Sequence, residues 1–346
     1  MKTQRSLRVV QWATGNIGLR SLRAILEHPE MELAGVWVSS TDKVGRDAGE
    51  LCGLAPVGVA ATNSLDEILA TPADCVVHMP QGTDVDAICR LLASGKNVVT
   101  TRDDFHYPQG MDRLLRERIE AACAAGASSL YSTGVSPGFV TEALAIPLLS
   151  ISRRLECLTI DEFADLSSRA SPHLLFEVMG YGEARGSFDP ARLAHLEANF
   201  GSSLAQIADA AGLAVERWSA FGEFARARAD TTIAAGTIRA GTIAAQRITI
   251  EGLRDARPVL RFRANWYCSR DLDRTDWELR ESGWRILVDS DTPLDVSITY
   301  PVAPEDYAAF TPGLTAHRAV NSVPAVCAAP PGIRTTVDLP QVIARF

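Results

Sequence analysis

The chain has few of the patterns that would place it on a membrane, on nucleic acid or around a metal ion. Across 346 residues, no run approaches the roughly 20 apolar residues needed to cross a bilayer. Met1-Lys2-Thr3-Gln4-Arg5 leads toward a strand without the layout of a signal peptide. Positive charge is in short supply: 34 Lys and Arg against 42 Asp and Glu give a net charge of −8, which argues against nucleic acid or an anionic membrane surface as partner. The seven cysteines are odd in number and scattered through apolar settings, with no C-x-x-C pair and no metal-ligand spacing. They are expected as buried reduced thiols of a cytoplasmic protein. A Ser-His-Asp arrangement, an H-E-x-x-H helix and a Walker lysine are all missing, so no metal is expected.

What is present is an ordinary globular composition, 47% hydrophobic and 22% charged, in a chain long enough for two cores. Leu7, Val9 and Val10 suit a buried strand. The turn after it reads Ala13-Thr14-Gly15-Asn16-Ile17-Gly18, which is G-x-G-x-x-G with Ala in the first place. Leu19, Leu22, Ile25 and Leu26 then recur at helical spacing until His28-Pro29. A strand, a glycine turn and a helix in that order form a pyrophosphate site: Gly15 lets the backbone approach the phosphates, Gly18 lets the helix pack on the strand, and the helix N-terminus favours the anion.

Strands and helices go on alternating to about residue 132, which predicts an α/β fold with a parallel, right-handed doubly wound Rossmann sheet. From 155 onward, strand-like stretches at 155–163, 240–251, 259–267 and 294–300 follow one another, with a helical stretch at 190–211. This predicts an α+β domain on a largely antiparallel sheet, with one open face for substrate or a second subunit, hence a homodimer. Residues 229–245 read as a mobile loop or a hairpin. The expected division is 1–145 for the nucleotide domain, 146–314 for the substrate and dimerisation domain, and 315–346 for a helix and tail returning to the first.

Three sites at strand ends carry the candidate chemistry. After the second strand, Ser39, Ser40 and Lys43 stand where an NAD site has a carboxylate; hydroxyls with a cation suit a 2′-phosphate, so NADP(H) is expected. Asp42 on another loop path would serve NAD(H). The run Thr133-Gly134-Val135-Ser136-Pro137-Gly138-Phe139 follows a strand. It is either the grip on a nicotinamide ring or a tight strand-to-helix connection. The run Arg102-Asp103-Asp104-Phe105-His106-Tyr107-Pro108 offers acid/base groups beside an aromatic wall, or simply an Asp capping the next helix. His173 and Trp266 are further candidates for the substrate pocket. Each has a structural alternative. Asp161, Glu162 and Asp165 either meet a cationic substrate or form a solvated turn.

With these residues in hand, the N-terminal half resembles the nucleotide domain of dihydrodipicolinate reductases. They carry a stretch similar to Gly45-Arg46-Asp47-Ala48-Gly49-Glu50-Leu51. Through its T-G-x-[NS]-P-G-F loop the whole length is similar to the branch containing 2,4-diaminopentanoate dehydrogenases and native amine dehydrogenases. The H-H-x-x-K-x-D-x-P-S-G-T segment of the true reductases has no counterpart in 159–186, so dihydrodipicolinate reduction is not expected. In the amine dehydrogenase branch a glutamate before an aromatic-proline pair activates ammonia, and the matching position is Asp104, one methylene shorter, with Asp103 next to it. The resemblance implies reductive amination of a ketone or aldehyde, the substrate held in an apolar pocket between the domains. Another NAD(P)H-dependent carbonyl or imine reductase, a diamine dehydrogenase and a non-catalytic NADP-binding protein are the alternatives.

Overall fold

The computed structural model describes residues 5–303 and 305–346, and its contacts divide the chain into two compact units, 1–139 with 309–346 and 140–308. These divisions fall a few residues ahead of 145 and 314, because the turn after the sixth strand and the start of the C-terminal helix mark the boundaries.

The first unit is built on β1 (Leu7–Trp12), β2 (Met31–Trp37), β3 (Ala61–Thr62), β4 (Cys75–His78), β5 (Asn97–Thr100), β6 (Ser129–Ser132) and a last strand, Gly332–Arg334. All pair in parallel, in the order Gly332–Arg334, β6, β5, β4, β1, β2, β3. Alternate residues of each strand face opposite sides. Val9, Val77, Val99 and Tyr131 join one buried cluster with Leu22 and Ile25 of α1 (Asn16–Leu26). Val10, Val76, Val98 and Leu130 join another with Ile68, Ile88 and Ile119, from α3 (Leu65–Ala70), α4 (Val85–Ala93) and α5 (Arg113–Gly126). A strand buried on both faces reads as a continuous apolar run, which is what makes this sheet visible in the sequence.

The short α2 (Ala48–Leu51) and the three helices after it each begin on a side chain that accepts from the first turn: Asp47, Ser64, Asp84 and Asp112. α1 begins on Gly15, with no side-chain cap. The long helix Tyr307–Cys327 lays Val320, Val323 and Val326 into the same cluster as α1.

The second unit has a six-stranded sheet in the order β14-β13-β7-β12-β11-β8. Its strands are β7 (Leu155–Asp165), β8 (Arg217–Arg226), β11 (Ile243–Arg254), β12 (Arg257–Tyr267), β13 (Gly283–Ser290) and β14 (Leu294–Thr299), with the small hairpin β9 (Thr231–Ile233) and β10 (Gly236–Ile238) apart. Neighbours are antiparallel except β7 and β12. Besides the short α6 (Ala145–Leu148), α7 (Pro190–Ala211) covers one face, where Phe200 stacks on Phe262 at 4.3 Å. The other face is laced by Arg263–Asp161, Arg261–Glu251 and Arg285–Asp295 pairs.

Two strands, β8 and β13, escaped the sequence pattern. On β8 the face toward α7 reads Trp218, Ala220, Gly222, Phe224, and the ring of Phe188 occupies the space where a Gly222 side chain would be. The segment 229–245 is a hairpin followed by the start of β11. Asp161, Glu162 and Asp165 lie on a strand rather than a solvated turn, so they alternate between faces.

Candidate functional site

The glycine turn gives the clearest local geometry. Ala13 adopts φ +73°, a left-handed conformation that an L side chain enters at a cost of about 1–3 kcal/mol. Its backbone is held from two sides: its N–H donates to the Trp37 carbonyl at 2.8 Å, and its carbonyl accepts from Gln11 Nε2 at 2.8 Å. Gln11, fully buried, also accepts from Ser21 Oγ at 2.6 Å, a positioning role with no sequence signal beyond a polar residue inside an apolar strand. A Cβ on Gly18 would lie 2.2 Å from the Ala13 carbonyl oxygen, so α1 packs on the turn only with glycine there. Gly15 differs. It has an ordinary φ of −75° and a Cβ would meet no protein atom within 4 Å. The space in front of it, at an uncapped helix N-terminus, fits a diphosphate. Thr14 is buried, and Asn16 and Ile17 open the helix.

Lys43 does not project freely toward a ribose. Its Nζ donates to the Thr14 carbonyl at 3.0 Å and to Thr14 Oγ1 at 3.2 Å, tying its loop to the glycine turn. Ser39 and Ser40 are exposed, and the Ser40 hydroxyl donates to the Asp42 carboxylate. That bond, against a smaller opposing effect of burial, holds the Asp42 carboxyl below its ordinary value. Arg46, exposed on the same loop, is a cation the sequence did not single out, although it lies inside the Gly45–Leu51 motif. Asp47 of that motif is structural: it accepts from the N–H groups of Gly49, Val57 and Gly58 at 2.8–3.0 Å and so folds the loop back.

The Thr133–Phe139 turn leaves β6 with a cis Ser136–Pro137 bond and Gly138 at φ +125°. A Cβ on Gly138 would lie 2.7 Å from Thr133 Oγ1. Thr133 Oγ1 and Ser136 Oγ are both shielded from solvent and have no hydrogen-bond partner among the described residues. Buried hydroxyls left unsatisfied cost about 1–3 kcal/mol each, and two in one turn fit a polar ligand such as a carboxamide. This chain's residues therefore fit a dinucleotide at both ends of the β1–β6 span.

The Asp103–Asp104 segment is stitched to that turn. The Thr133 N–H donates to the Thr100 carbonyl at 2.9 Å, and Ser132 Oγ to the Arg102 carbonyl at 2.6 Å. Asp103 and Asp104 form a single 3-10 turn with Phe105, and α5 is capped by Asp112, so neither carboxylate is a helix cap. Asp104 Oδ2 accepts from Thr83 Oγ1 at 2.6 Å, Arg102 Nη2 at 2.9 Å and Arg102 Nε at 3.1 Å. Its side chain is 42% exposed. Burial opposes ionisation here, but Thr83 and Arg102 together outweigh it and hold the carboxyl below its ordinary value. Arg102 also donates to the Gln81 carbonyl at 2.8 Å and lies 3.7 Å from Asp103. Its role was missed because a charged residue between a strand and a turn reads as solvated. His78, at the end of β4, is buried with Nδ1 3.2 Å from Thr100 Oγ1. Burial, and after it the Arg102 charge, push it down to about 3.

Not every candidate wall residue reaches a site. Phe105 is fully buried in the core of the first unit and His106 nearly so; Phe105 therefore lines no pocket, because the turn rolls it under the sheet. Tyr107 is half-buried. In the second unit His173 is exposed and pairs with Glu177 at 2.8 Å. Trp266 Nε1 donates to Glu162 Oε1 at 2.9 Å, and Trp284 Nε1 to Glu162 Oε2 at 3.2 Å. That unit holds a cavity of about 420 Å³ lined by Asp165, Arg270, Glu281, Tyr300 and Tyr307. Among the described residues no group of three or more His, Cys, Asp or Glu is placed to hold a metal, and no helix is long and apolar enough to cross a membrane.

Comparison with known proteins follows the same lines. Residues 9–102 match the family described as dihydrodipicolinate reductase, N-terminus. An amine dehydrogenase from Streptomyces virginiae is 27% identical over 355 residues, covering 96% of this chain and 95% of the relative. A 4-hydroxy-tetrahydrodipicolinate reductase from Desulfitobacterium hafniense is 35% identical over 96 residues, covering 27% of this chain and 35% of that protein. The structure of an amine dehydrogenase from Mycobacterium smegmatis superposes with a TM-score of 0.75 at 20% identity, covering 100% of this chain and 99% of the other, which shows a shared fold. The chain is thus similar over nearly its whole length to an amine dehydrogenase and in its N-terminal part to dihydrodipicolinate reductases, and it is an NAD(P)-dependent oxidoreductase.

Proposed function

We propose that the protein interconverts a carbonyl compound and the corresponding amine, using ammonia and NADP(H). The observation that carries this is Asp104: an ionised carboxylate just past the end of β5, on a segment whose Thr100 and Arg102 carbonyls are hydrogen-bonded to the neighbouring strand end and turn with its two unsatisfied hydroxyls.

When bound, the nicotinamide supplies or accepts the hydride. Gly15 and the N-terminus of α1 would hold the diphosphate, and Thr133 and Ser136 the carboxamide. In the aminating direction Asp104 holds an ammonium ion and takes its proton, which frees the nitrogen lone pair for the carbonyl carbon. The same carboxyl returns that proton to the oxygen that leaves as water. As positive charge grows on the carbon–nitrogen unit, the carboxylate opposite it lowers the barrier. Asp103 stands next to it as a second carboxylate. Arg102 competes for the Asp104 charge, so its hold must loosen when a cation arrives.

Ser39 and Ser40 with Arg46 supply hydroxyls and a cation for a 2′-phosphate, which favours NADP(H). The Asp42 carboxylate bonded to Ser40 is the feature that favours NAD(H). A second reading rests on the Arg102–Asp104 pair. If that pair is permanent, Asp104 is structural and the enzyme reduces a carbonyl or imine without ammonia.

NADPH oxidation with a panel of ketones and aldehydes, with and without ammonium, separates the two. Amination requires that turnover depend on ammonium and that Asp104→Asn abolish it while NADPH still binds. Asp104→Glu, which restores the residue of the amine dehydrogenases, is expected to keep or raise activity on simple ketones. Turnover that ignores ammonium, or survives Asp104→Asn, removes the carboxylate from the mechanism.

A further inference from the structure

Arg318 projects from the helix Tyr307–Cys327 beside the Thr133–Phe139 turn. Its guanidinium carbon lies 5.9 Å from the centre of the Phe139 ring. One turn earlier on the helix, Thr315 lies against Gly134. Arg318 Nε is shielded from solvent and has no hydrogen-bond partner. Among the described residues no hydrogen bond or ion pair engages any part of this guanidinium. Several other partly buried arginines do have a carboxylate: Arg263 has Asp161, Arg261 has Glu251 and Arg102 has Asp104.

A guanidinium is charged at every working pH, carries five donors and has no acceptor of its own. Taking one of those donors out of water without replacing the water costs free energy. The Phe139 ring faces the charge as a cation–π partner and offers it no lone pair. The N–H donors are left for an acceptor that none of the described residues supplies, and a planar fork of donors matches a carboxylate in two-point contact.

The cofactor's own phosphates are a poor match for that acceptor. The diphosphate site is at Gly15, at the end of β1, and β6 lies three strands away in the sheet, about 14 Å at the usual spacing of strands. The turn beside Arg318 is at the opposite end of a dinucleotide laid across those strand ends, where the reacting carbon is presented. Thr133 Oγ1 and Ser136 Oγ, both unsatisfied, lie in the same turn.

We infer that Arg318 is a substrate-recognition residue that binds a carboxylate, so that the compounds interconverted here are an oxo acid and its amino acid rather than a plain ketone and amine. This rests on the amination reading above for the reaction, but not for the binding.

Binding is therefore the test. The NADP⁺-loaded protein is titrated calorimetrically with butyrate and, as the uncharged counterpart, with butyramide. Butyrate is expected to bind at least tenfold more tightly, and Arg318→Met to weaken butyrate roughly tenfold to a hundredfold with little change for butyramide. Arg318→Lys keeps the charge but loses the fork, and an intermediate loss is expected. This variant decides the matter if the methionine protein fails to fold by circular dichroism. Equal binding of the two probes, or butyrate binding that survives both substitutions, overturns the inference. Turnover reads the other question. Ammonia-dependent activity as fast on a plain ketone as on its oxo acid overturns the carboxylate and leaves amination standing. Arg318-dependent butyrate binding without any turnover does the reverse.

Discussion

Arg102 grips Asp104 by two nitrogens on one oxygen, Nη2 at 2.9 Å and Nε at 3.1 Å on Oδ2, and Thr83 donates to that same oxygen. The other carboxylate oxygen is left to whatever approaches the turn. The arrangement keeps the carboxylate ionised and aimed, and weakens it as a base.

The first prediction follows from that balance. Arg102→Met removes the main opposing charge while burial remains, so the Asp104 carboxyl rises toward or above the ordinary range. The acid limb of the pH–rate profile should move to higher pH, and Arg102→Lys should recover part of the shift. An acid limb that stays in place assigns Arg102 to fold support alone.

The two glycines of the turn should separate stability from nucleotide binding. Gly18→Ala drives a methyl group to 2.2 Å from the Ala13 carbonyl oxygen, and overpacking of this kind costs about 1–3 kcal/mol. Its melting temperature should fall. Gly15→Ala meets no protein atom and should leave unfolding within about 0.5 kcal/mol of the parent. Its NADPH affinity should nonetheless drop at least tenfold, as read by fluorescence titration.

Nucleotide preference is testable at Ser40. Ser40→Asp adds a carboxylate beside Asp42 on the exposed loop and should weaken NADPH relative to NADH. An unchanged ratio of dissociation constants rejects the assignment of a 2′-phosphate to this loop.

His78 makes stability depend on pH. It is buried neutral with its pKa depressed from 6.5 to about 3, so between those values the unfolded chain binds a proton that the folded chain does not. Its contribution is fully present above about pH 6.5 and is lost as pH falls toward 3, by about 1.36 kcal/mol per unit. Chemical denaturation at pH 7, 6, 5 and 4 should show this decline, and His78→Gln should flatten it.

The nucleotide-binding sheet was legible because its information is local. Val9 and Val10 each face a different buried cluster, so the centre of the strand is apolar on both faces, and Gly15 and Gly18 mark the turn at fixed offsets. The second sheet was legible only in part. β13 alternates Trp284, Ile286 and Val288 with Arg285, Leu287 and Asp289, and the ion-pair partners that make the charged face tolerable, such as Asp295 for Arg285, come from another strand. Site residues were harder still. Sequence order puts Arg102 two places from Asp104 but does not say that its side chain turns back, and Lys43 looked free until Thr14 proved to be its acceptor. Phe105 shares a turn with Asp104 yet faces the core, because successive residues of a 3-10 turn point in different directions.

The strand Gly332–Arg334 pairs with β6, the strand that leads into the Thr133–Phe139 turn, and the helix before it completes one face of the same sheet. During synthesis the ribosome therefore releases every residue of the second unit before the nucleotide-binding unit can close. For that interval the outer edge of β6 has no partner strand and the cluster around Val9 and Leu22 lacks Val320, Val323 and Val326, so a nascent chain stalled before residue 309 holds a nucleotide fold that is open along one edge.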